Sequence, residues 1–351
     1  MSSILVTGGA GFIGSHTCLT LIENGYKVIV VDSFENSSPK SLEKVKQILK
    51  LKNLDFSNKI KILKLDLRDE ISLRNVFLEA RNSGYPINSV IHFAGLKAVG
   101  ESVEDPLLYW DVNVNGAITL LKIMEKNNCK IMVFSSSATI YGINNNETIL
   151  EDSKISPINP YGSTKVAIEN LCNDIFNKNK KEWRIANLRY FNPIGAHPSG
   201  LIGENPIGKA NNIFPIILDV AIGTNKMFKI FGQEWPTSDG TGVRDYIHVV
   251  DLAVGHLKTL EYLKNNDPQI LNLNLGTGIG TSVLELINSF EKVNNIKIPY
   301  EFSSPRKGDA SCVIANNGLA KRILDWSPTR TIEDACLDGW HWRSKNPNGF
   351  N

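Results

Sequence analysis

Ile4-Leu5-Val6-Thr7-Gly8-Gly9-Ala10-Gly11-Phe12-Ile13-Gly14 opens the chain with an apolar, β-type run that breaks directly into glycines. Read from Gly9 the pattern is G-x-G-x-x-G; read from Gly8 it is G-x-x-G-x-x-G. Glycines so spaced make a tight turn, let the backbone approach a pyrophosphate, and allow a helix to pack closely on the strand. Ser15 to Asn24 is helix-compatible and stops at Gly25. Lys27-Val28-Ile29-Val30-Val31-Asp32 then reads as a second strand, ending in an acid 18 residues past Gly14. A carboxylate there suits the hydroxyls of an adenosine ribose and repels a 2′-phosphate. Strand, glycines, helix, strand and acid in this order predict a dinucleotide site, with NAD preferred over NADP.

Strand-like runs recur outward from this start at residues 60–65, 89–93, 130–134 and 183–189, with helix-sized gaps between them. That alternation predicts an α/β fold: a Rossmann-type, doubly wound parallel sheet with helices on both faces. Residues 1–190 are assigned to this domain. Past residue 190 the prolines and glycines thicken, so residues 191–351 read as a smaller mixed α/β lobe with returns to the main sheet, such as Ile270 to Leu275. Asn144-Asn145-Asn146 reads as a short loop, and no internal repeat is present. Asp66, Ala94 to Lys97, Ser135 to Thr139 and Tyr190 to Pro193 all follow strand runs directly. In open α/β sheets such positions converge on one crevice.

Two of these segments carry chemistry. Ser135-Ser136-Ser137-Ala138-Thr139-Ile140-Tyr141-Gly142 is followed by Pro160-Tyr161-Gly162-Ser163-Thr164-Lys165. On a helix, Tyr161 and Lys165 share one face. A nearby ammonium favours phenolate, which makes Tyr161 a candidate base, with Ser137 as its hydrogen-bond partner. Tyr141 competes for that role but has no lysine four residues on. His92, in an apolar run, reads as a core residue, and His197 and His248 read as scaffold.

Bulk properties narrow the function classes. At 351 residues the chain can bury a large core, and its net charge of +2 gives no footprint for nucleic acid or an anionic membrane. The five cysteines are scattered without C-x-x-C spacing and no histidine pair has ligand spacing, so no metal site is expected. The first strand begins by residue 4, and no apolar run approaches transmembrane length. The expectation is a cytoplasmic protein.

With these features in view, the chain resembles the UDP-glucose 4-epimerase family of extended short-chain dehydrogenases/reductases over about residues 3–350. The most specific stretches are Val90 to Ser102 (VIHFAGLKAVGES), Leu188 to Gly200 (LRYFNPIGAHPSG) and Asp239 to Val249 (DGTGVRDYIHV), with Trp340-His341-Trp342 near the end. The resemblance implies reversible epimerisation at C4 of a UDP-hexose through a 4-keto sugar, with NAD tightly bound. It assigns Gly8, Gly11, Phe12, Ile13 and Gly14 to the pyrophosphate turn. Asp32, Ser33, Asn36 and Ser37 go to the adenosine, and Asp66 and Leu67 flank the adenine. Phe93, Ala94 and Lys97 line the nicotinamide side, with Lys97 available for a phosphate, and Phe191 closes on the cofactor. Ser135, from its position at the crevice, is a further candidate cofactor contact.

Ser137, Tyr161 and Lys165 form the implied catalytic group, Lys165 both lowering the Tyr161 pKa and holding the nicotinamide ribose. Ala138, Thr139, Asn192, Asn211, Asn212, Ile213, Phe231, Arg244, Arg306, Asp309 and Val313 are the implied substrate contacts. Arg244 and Arg306 suit bidentate phosphate recognition, against a plain salt bridge of Arg244 with Asp239 or Asp245. One departure is Val112, where the family often has Asn; Asn113 and Asn115 are candidates to compensate. A homodimer packed through helices near 105–126 and 161–178 is also implied. A nucleotide-sugar 4,6-dehydratase is the nearest rival, but no Asp-Glu pair follows Ser137. A non-catalytic NAD sensor is the second rival, and the intact Ser137, Tyr161 and Lys165 argue against it.

Overall fold

The structure, a computed structural model, describes residues 2–143, 148–208, 210–306 and 308–350. The Asn144–Asn146 stretch lies outside the described residues. The chain begins β1 (Ser3–Thr7), α1 (Phe12–Glu23), β2 (Lys27–Asp32), α2 (Lys40–Leu51), β3 (Ile60–Lys64), α3 (Glu70–Asn82) and β4 (Ile87–His92). Next come α4 (Val99–Glu104), α5 (Pro106–Tyr109), a π-helical turn at Trp110–Asn115, and α6 (Gly116–Lys126). β5 (Ile131–Ser137), a 3-10 turn at Ala138–Tyr141, α7 (Pro160–Lys178) and β6 (Arg184–Tyr190) complete the first half.

The second half runs β7 (Asn192–Ile194), α8 (Ile213–Ala221), β8 (Phe228–Phe231), β9 (Val243–Arg244), β10 (Tyr246–His248), α9 (Val249–Asn265) and β11 (Gln269–Leu275). It ends β12 (Thr281–Ser282), α10 (Val283–Asn294), β13 (Tyr300–Ser303), β14 (Cys312–Val313), α11 (Gly318–Leu324) and α12 (Ile332–Lys345).

Seven strands form one parallel sheet in the order β11-β6-β5-β4-β1-β2-β3. β1 to β3 step outward one way; the chain then crosses over so that β4 adds to the other side of β1. The strand order reverses between β1 and β4, and such sheets bind ligands outside the strand ends at this point. One apolar core lies under α1, α2 and α9 (Leu19, Val45, Leu257, Leu260), and a second under α3, α6 and α7 (Phe77, Leu120, Ile168, Cys172). The expected return of Ile270 to Leu275 is β11, paired with β6. A third core joins α8, α10 and α12 through Phe214, Ile217, Phe290 and Cys336.

The first helix starts at Phe12, three residues before the sequence suggested, so Gly14 is itself helical. A Cβ on Gly14 would lie 2.3 Å from the Gly8 carbonyl oxygen, so only glycine lets the helix close onto the turn. Gly8 adopts φ +67°, and a Cβ there would lie 2.6 Å from the Ala94 nitrogen. The loops after β1 and β4 are therefore packed backbone to backbone.

Helix α7 is fastened to the sheet by buried charge. Glu169 is 3% exposed and Arg189, on β6, is 2% exposed. Arg189 donates from Nε (3.0 Å) and Nη2 (2.7 Å) to the two Glu169 oxygens, and Ser136 Oγ on β5 donates to Glu169 Oε1 at 2.5 Å. Arg189 Nη1 also donates to the Tyr141 hydroxyl and to the Glu151 carbonyl. Removing one partner of such a pair strands the other charge in a low-dielectric interior. Arg189→Leu is expected to destabilise the fold by about 3–5 kcal/mol, read as a lowered urea midpoint. A loss below about 1 kcal/mol, as for an exposed pair, would contradict this account.

Candidate active site

At the glycine turn, the Asp32 carboxylate accepts from Ala10 N (2.9 Å), Phe34 N (2.9 Å) and Ser37 Oγ (2.7 Å). It thereby locks the end of β2 to the turn after β1. Ser33 is half-buried and Asn36 exposed on the same loop. Gly11 is the N-cap of α1; no side chain caps this helix and no acid stands in its first turn. The positive end of α1, with the N–H groups of Phe12 and Ile13, is thus left for an anion. The space is suited to one as well: a Cβ on Gly11 would meet only the Gly8 oxygen, at 3.3 Å.

Asp66 is gripped by Arg68, whose guanidinium also reaches Asp111, and this holds the Asp66 carboxyl below its usual range. Leu67 beside it is buried. On the other side of the crevice, next to Val112, stands Asn113. It is 1% exposed, accepts from Leu96 N (2.8 Å) and donates to the Leu96 carbonyl and to Thr164 Oγ1. It fixes the Phe93–Lys97 loop to α7. Asn115 does not: it is exposed and donates to Asp111 on the surface.

Ser137, Tyr161 and Lys165 meet where β5 ends and α7 begins. Asn159 caps α7 through Gly162 N, which sets Tyr161 in its first turn, and Pro160 at the start suits the fixed φ there. Burial pushes the Tyr161 phenol above its ordinary pKa, and the Ser137 hydroxyl draws it back down. Ser137 Oγ also accepts from Thr139 N (3.2 Å) and Thr139 Oγ1 (3.0 Å), so the Ala138–Thr139 turn is held to it.

Lys165 is 5% exposed and donates to the Ser135 carbonyl at 2.7 Å, leaving two N–H groups uncommitted by that bond. Its Nζ lies 5.6 Å from the centre of the Tyr161 ring. The expected helical face is present, but the ammonium is bonded to β5 rather than to the phenol, and Ser137 is the group that lowers the phenol's pKa. Desolvation brings Lys165 down to about 8, opposed by the Glu169 charge.

Tyr141 is excluded as a base by its surroundings. Its hydroxyl is buried, donates to Asn274 Oδ1 at 2.7 Å and accepts from Arg189. His92 is likewise scaffold, bonded through Nδ1 to Thr7 Oγ1 and desolvated to a pKa of about 3.

The residues expected around a nucleotide-sugar come from five segments of the second half. Asn192 N donates to the Asp245 carbonyl, and Phe191 is buried with Ile140 and Tyr141, against which Val313 packs. Arg244 does not pair with Asp239 or Asp245. Asp245 is fully buried and accepts from Thr277, Gly278 and Ala315 instead. Asp239 is taken by Thr241 and Ser282. Arg244 faces Asp309 at 4.0 Å, Arg306 Nε donates to Asp309 Oδ2 at 3.0 Å, and the Arg306 guanidinium lies 4.7 Å from the Phe231 ring centre. Two cations thus converge on one half-buried carboxylate beside an aromatic ring. Asn211 and Asn212 are exposed just ahead of α8, which Ile213 begins.

Sequence reasoning missed Glu169 and Glu204. Glu169 stands four residues after Lys165, one more helical turn on the same face, which was an available signal. Glu204, in a glycine- and proline-rich loop, ion-pairs with Lys97 at 2.9 Å and had no sequence signal. Lys97 is therefore not a free cation. Among the described residues no group of three or more His, Cys, Asp or Glu could hold a metal, and no helix is long and apolar enough to cross a membrane.

A family model described as GDP-mannose 4,6 dehydratase matches residues 5–338. UDP-glucose 4-epimerase 2 of Arabidopsis thaliana is 49% identical over 349 residues, covering 99% of this chain and 97% of that one. UDP-glucose 4-epimerase of Bacillus subtilis (strain 168) is 48% identical over 348 residues, covering 99% and 98%. The crystal structure of UDP-glucose 4-epimerase from Bifidobacterium longum in complex with NAD+ and UDP superposes with a TM-score of 0.91 at 44% identity, covering 99% of this chain and 100% of that one. The dehydratase description names the broad family model, whereas these near-full-length relatives are epimerases. The chain belongs to the UDP-glucose 4-epimerase family of extended short-chain dehydrogenases/reductases.

Proposed function

We propose that this chain is an NAD-dependent isomerase that interconverts UDP-galactose and UDP-glucose at C4. The observation that carries the reading is Tyr161 beside Ser137, on the same helical face as a buried Lys165, across a crevice from an anion-ready glycine turn. NAD, when bound, supplies the hydride acceptor and donor that the chain's own side chains lack. Gly8, Gly11, Phe12, Ile13 and Gly14 would hold its pyrophosphate, and Asp32, Ser33, Asn36 and Ser37 its adenosine end. Asp66 and Leu67 would border the adenine. Phe93, Ala94, Lys97, Ser135 and Phe191 would border the nicotinamide, with Lys165 donating to its ribose.

Tyr161 Oη takes the proton of the sugar 4-hydroxyl and later returns it, with the Ser137 hydroxyl beside it lowering its pKa. Arg244 and Arg306 neutralise the diphosphate, Phe231 and Asn192 border the uridine, and Asp309 accepts from hydroxyls. Asn211, Asn212 and Ile213 flank this region at the head of α8. Ala138 and Thr139 close the serine side. With UDP held by cations remote from C4, the sugar ring is free to present either face.

The chain acts as a homodimer in the cytoplasm. Val103, Leu107 and Trp110 form an exposed apolar strip on α4, α5 and the π-helical turn, beside α7, and this supports a second copy as partner. The free cysteines, four of them buried, suit a reducing compartment.

Two predictions follow from these roles. Tyr161→Phe is expected to cut kcat for UDP-galactose by about 10²–10⁴-fold while the purified protein keeps its NAD. Ser137→Ala removes the hydroxyl that lowers the phenol's pKa. The acidic limb of kcat/KM, where the base becomes protonated, then moves to higher pH. Near-normal turnover in the first variant, or an unmoved limb in the second, would refute the assignment.

Val313 supports a wider sugar range. It sits on β14 paired with Arg244 of β9 and packs beside the serine turn, where a small side chain leaves room at the sugar. UDP-N-acetylglucosamine and UDP-N-acetylgalactosamine are then also interconverted. Val313→Tyr is expected to lower kcat/KM for the acetylated pair by about tenfold or more and to spare the plain pair. No turnover of either acetylated sugar by the unmodified enzyme would sink the idea.

A further inference from the structure

Glu204 occupies an unusual position between the two ligand regions. Its side chain is 6% exposed, and its Oε1 accepts both from Lys97 Nζ (2.9 Å), on the loop after β4, and from Asn212 Nδ2 (2.8 Å), at the head of α8. Oε2 is buried without a hydrogen-bond partner among the described residues. A buried carboxylate so poorly satisfied is costly, so its position must be enforced by its surroundings. The backbone supplies the enforcement: the Glu204 carbonyl accepts from Trp342 Nε1, and a Cβ on the preceding Gly203 would lie 2.4 Å from the Trp342 ring. Asn212 is diverted as well. It stands at the N-cap of α8 with extended backbone angles, yet makes no capping bond, its amide being spent on Glu204.

We propose that Glu204 is a positioning residue that couples the two ligand sites, one carboxylate oxygen holding Lys97 for the cofactor phosphates and Asn212 for the nucleotide-sugar. The proposal rests on the functional reading above and adds to it a linkage between cofactor retention and substrate affinity. Lys97 keeps two further N–H donors, so it can serve a phosphate without leaving Glu204. While it stays, Asn212 stays placed, because both share Oε1. Loss of the charge on Glu204 loosens both residues together, whereas the proton-transfer groups at Ser137 and Tyr161 are untouched.

The test uses the purified holoenzyme, Glu204→Gln, Lys97→Met and the double variant. Glu204→Gln keeps the shape of the side chain and removes its charge; the Lys97 side chain is 59% exposed, so Lys97→Met leaves packing intact. Four quantities are read: the rate of NAD release, the Kd for UDP alone, and kcat and KM with UDP-galactose. Glu204→Gln is expected to speed NAD release and weaken UDP, each by about threefold to tenfold, with KM raised and kcat changed by less than about twofold. Lys97→Met is expected to weaken UDP too, and adding Glu204→Gln to it is expected to cost less than in the unmodified enzyme. A change at only one site, strict additivity, or a lowered melting temperature with both binding readouts unchanged would overturn the coupling. An unmodified enzyme that holds no NAD would overturn the functional reading itself, which separates the two failures. Should Glu204→Gln fail to fold, unchanged UDP affinity in Lys97→Met alone overturns the proposal.

Discussion

The contact on which the rest depends is the buried Glu169 carboxylate and its three donors from Arg189 and Ser136. It ties α7 to β5 and β6 at once, so the first turn of that helix can sit in only one place relative to the end of β5. Tyr161 and Lys165 then fall beside Ser135 and Ser137 without further adjustment. The same negative charge tempers the desolvation of Lys165, whose pKa still falls to about 8. A lysine buried this deeply without Glu169 behind it would lose its charge more readily. Packing, placement and electrostatics at the site therefore share one origin.

A second buried acid does comparable work for the other half. Asp245 accepts from Thr277 and Gly278, just past β11, and from Ala315, just past β14. It joins the main sheet's last strand to the segments that bring in Arg244, Arg306 and Asp309. Arg244 and Arg306 on one side and Ser137, Tyr161 and Lys165 on the other are thereby referred to the same rigid sheet, and Asn113 does the same for the loop after β4. Precision at the crevice comes from polar side chains bonded to backbone at loop ends rather than from the loops themselves.

Most of the sheet was legible because parallel strands buried on both faces read as continuous apolar runs, as at Val28 to Val31 and Met132 to Phe134. The glycine turn and Asp32 were legible because backbone approach restricts residue type there. The start of α1 was misplaced because Gly14 looks like a helix breaker in sequence, and only its contact with Gly8 explains it. For Arg244 the sequence also offered a plain salt bridge with its neighbour Asp239 or Asp245, which the structure does not form. Each of those acids is consumed by hydroxyls and backbone N–H groups from residues 241–315, which no local reading reveals. Glu204 was invisible for the same reason: its partners stand 107 residues before it and eight after it, on separate elements.

The central claim is that the hydrogen on C4 is kept within the site while its hydroxyl proton passes through Tyr161. The most direct measurement follows UDP-galactose carrying deuterium at C4 through one conversion in ordinary water. The account predicts UDP-glucose that retains the deuterium at C4. UDP-glucose with hydrogen from solvent at that carbon would contradict it.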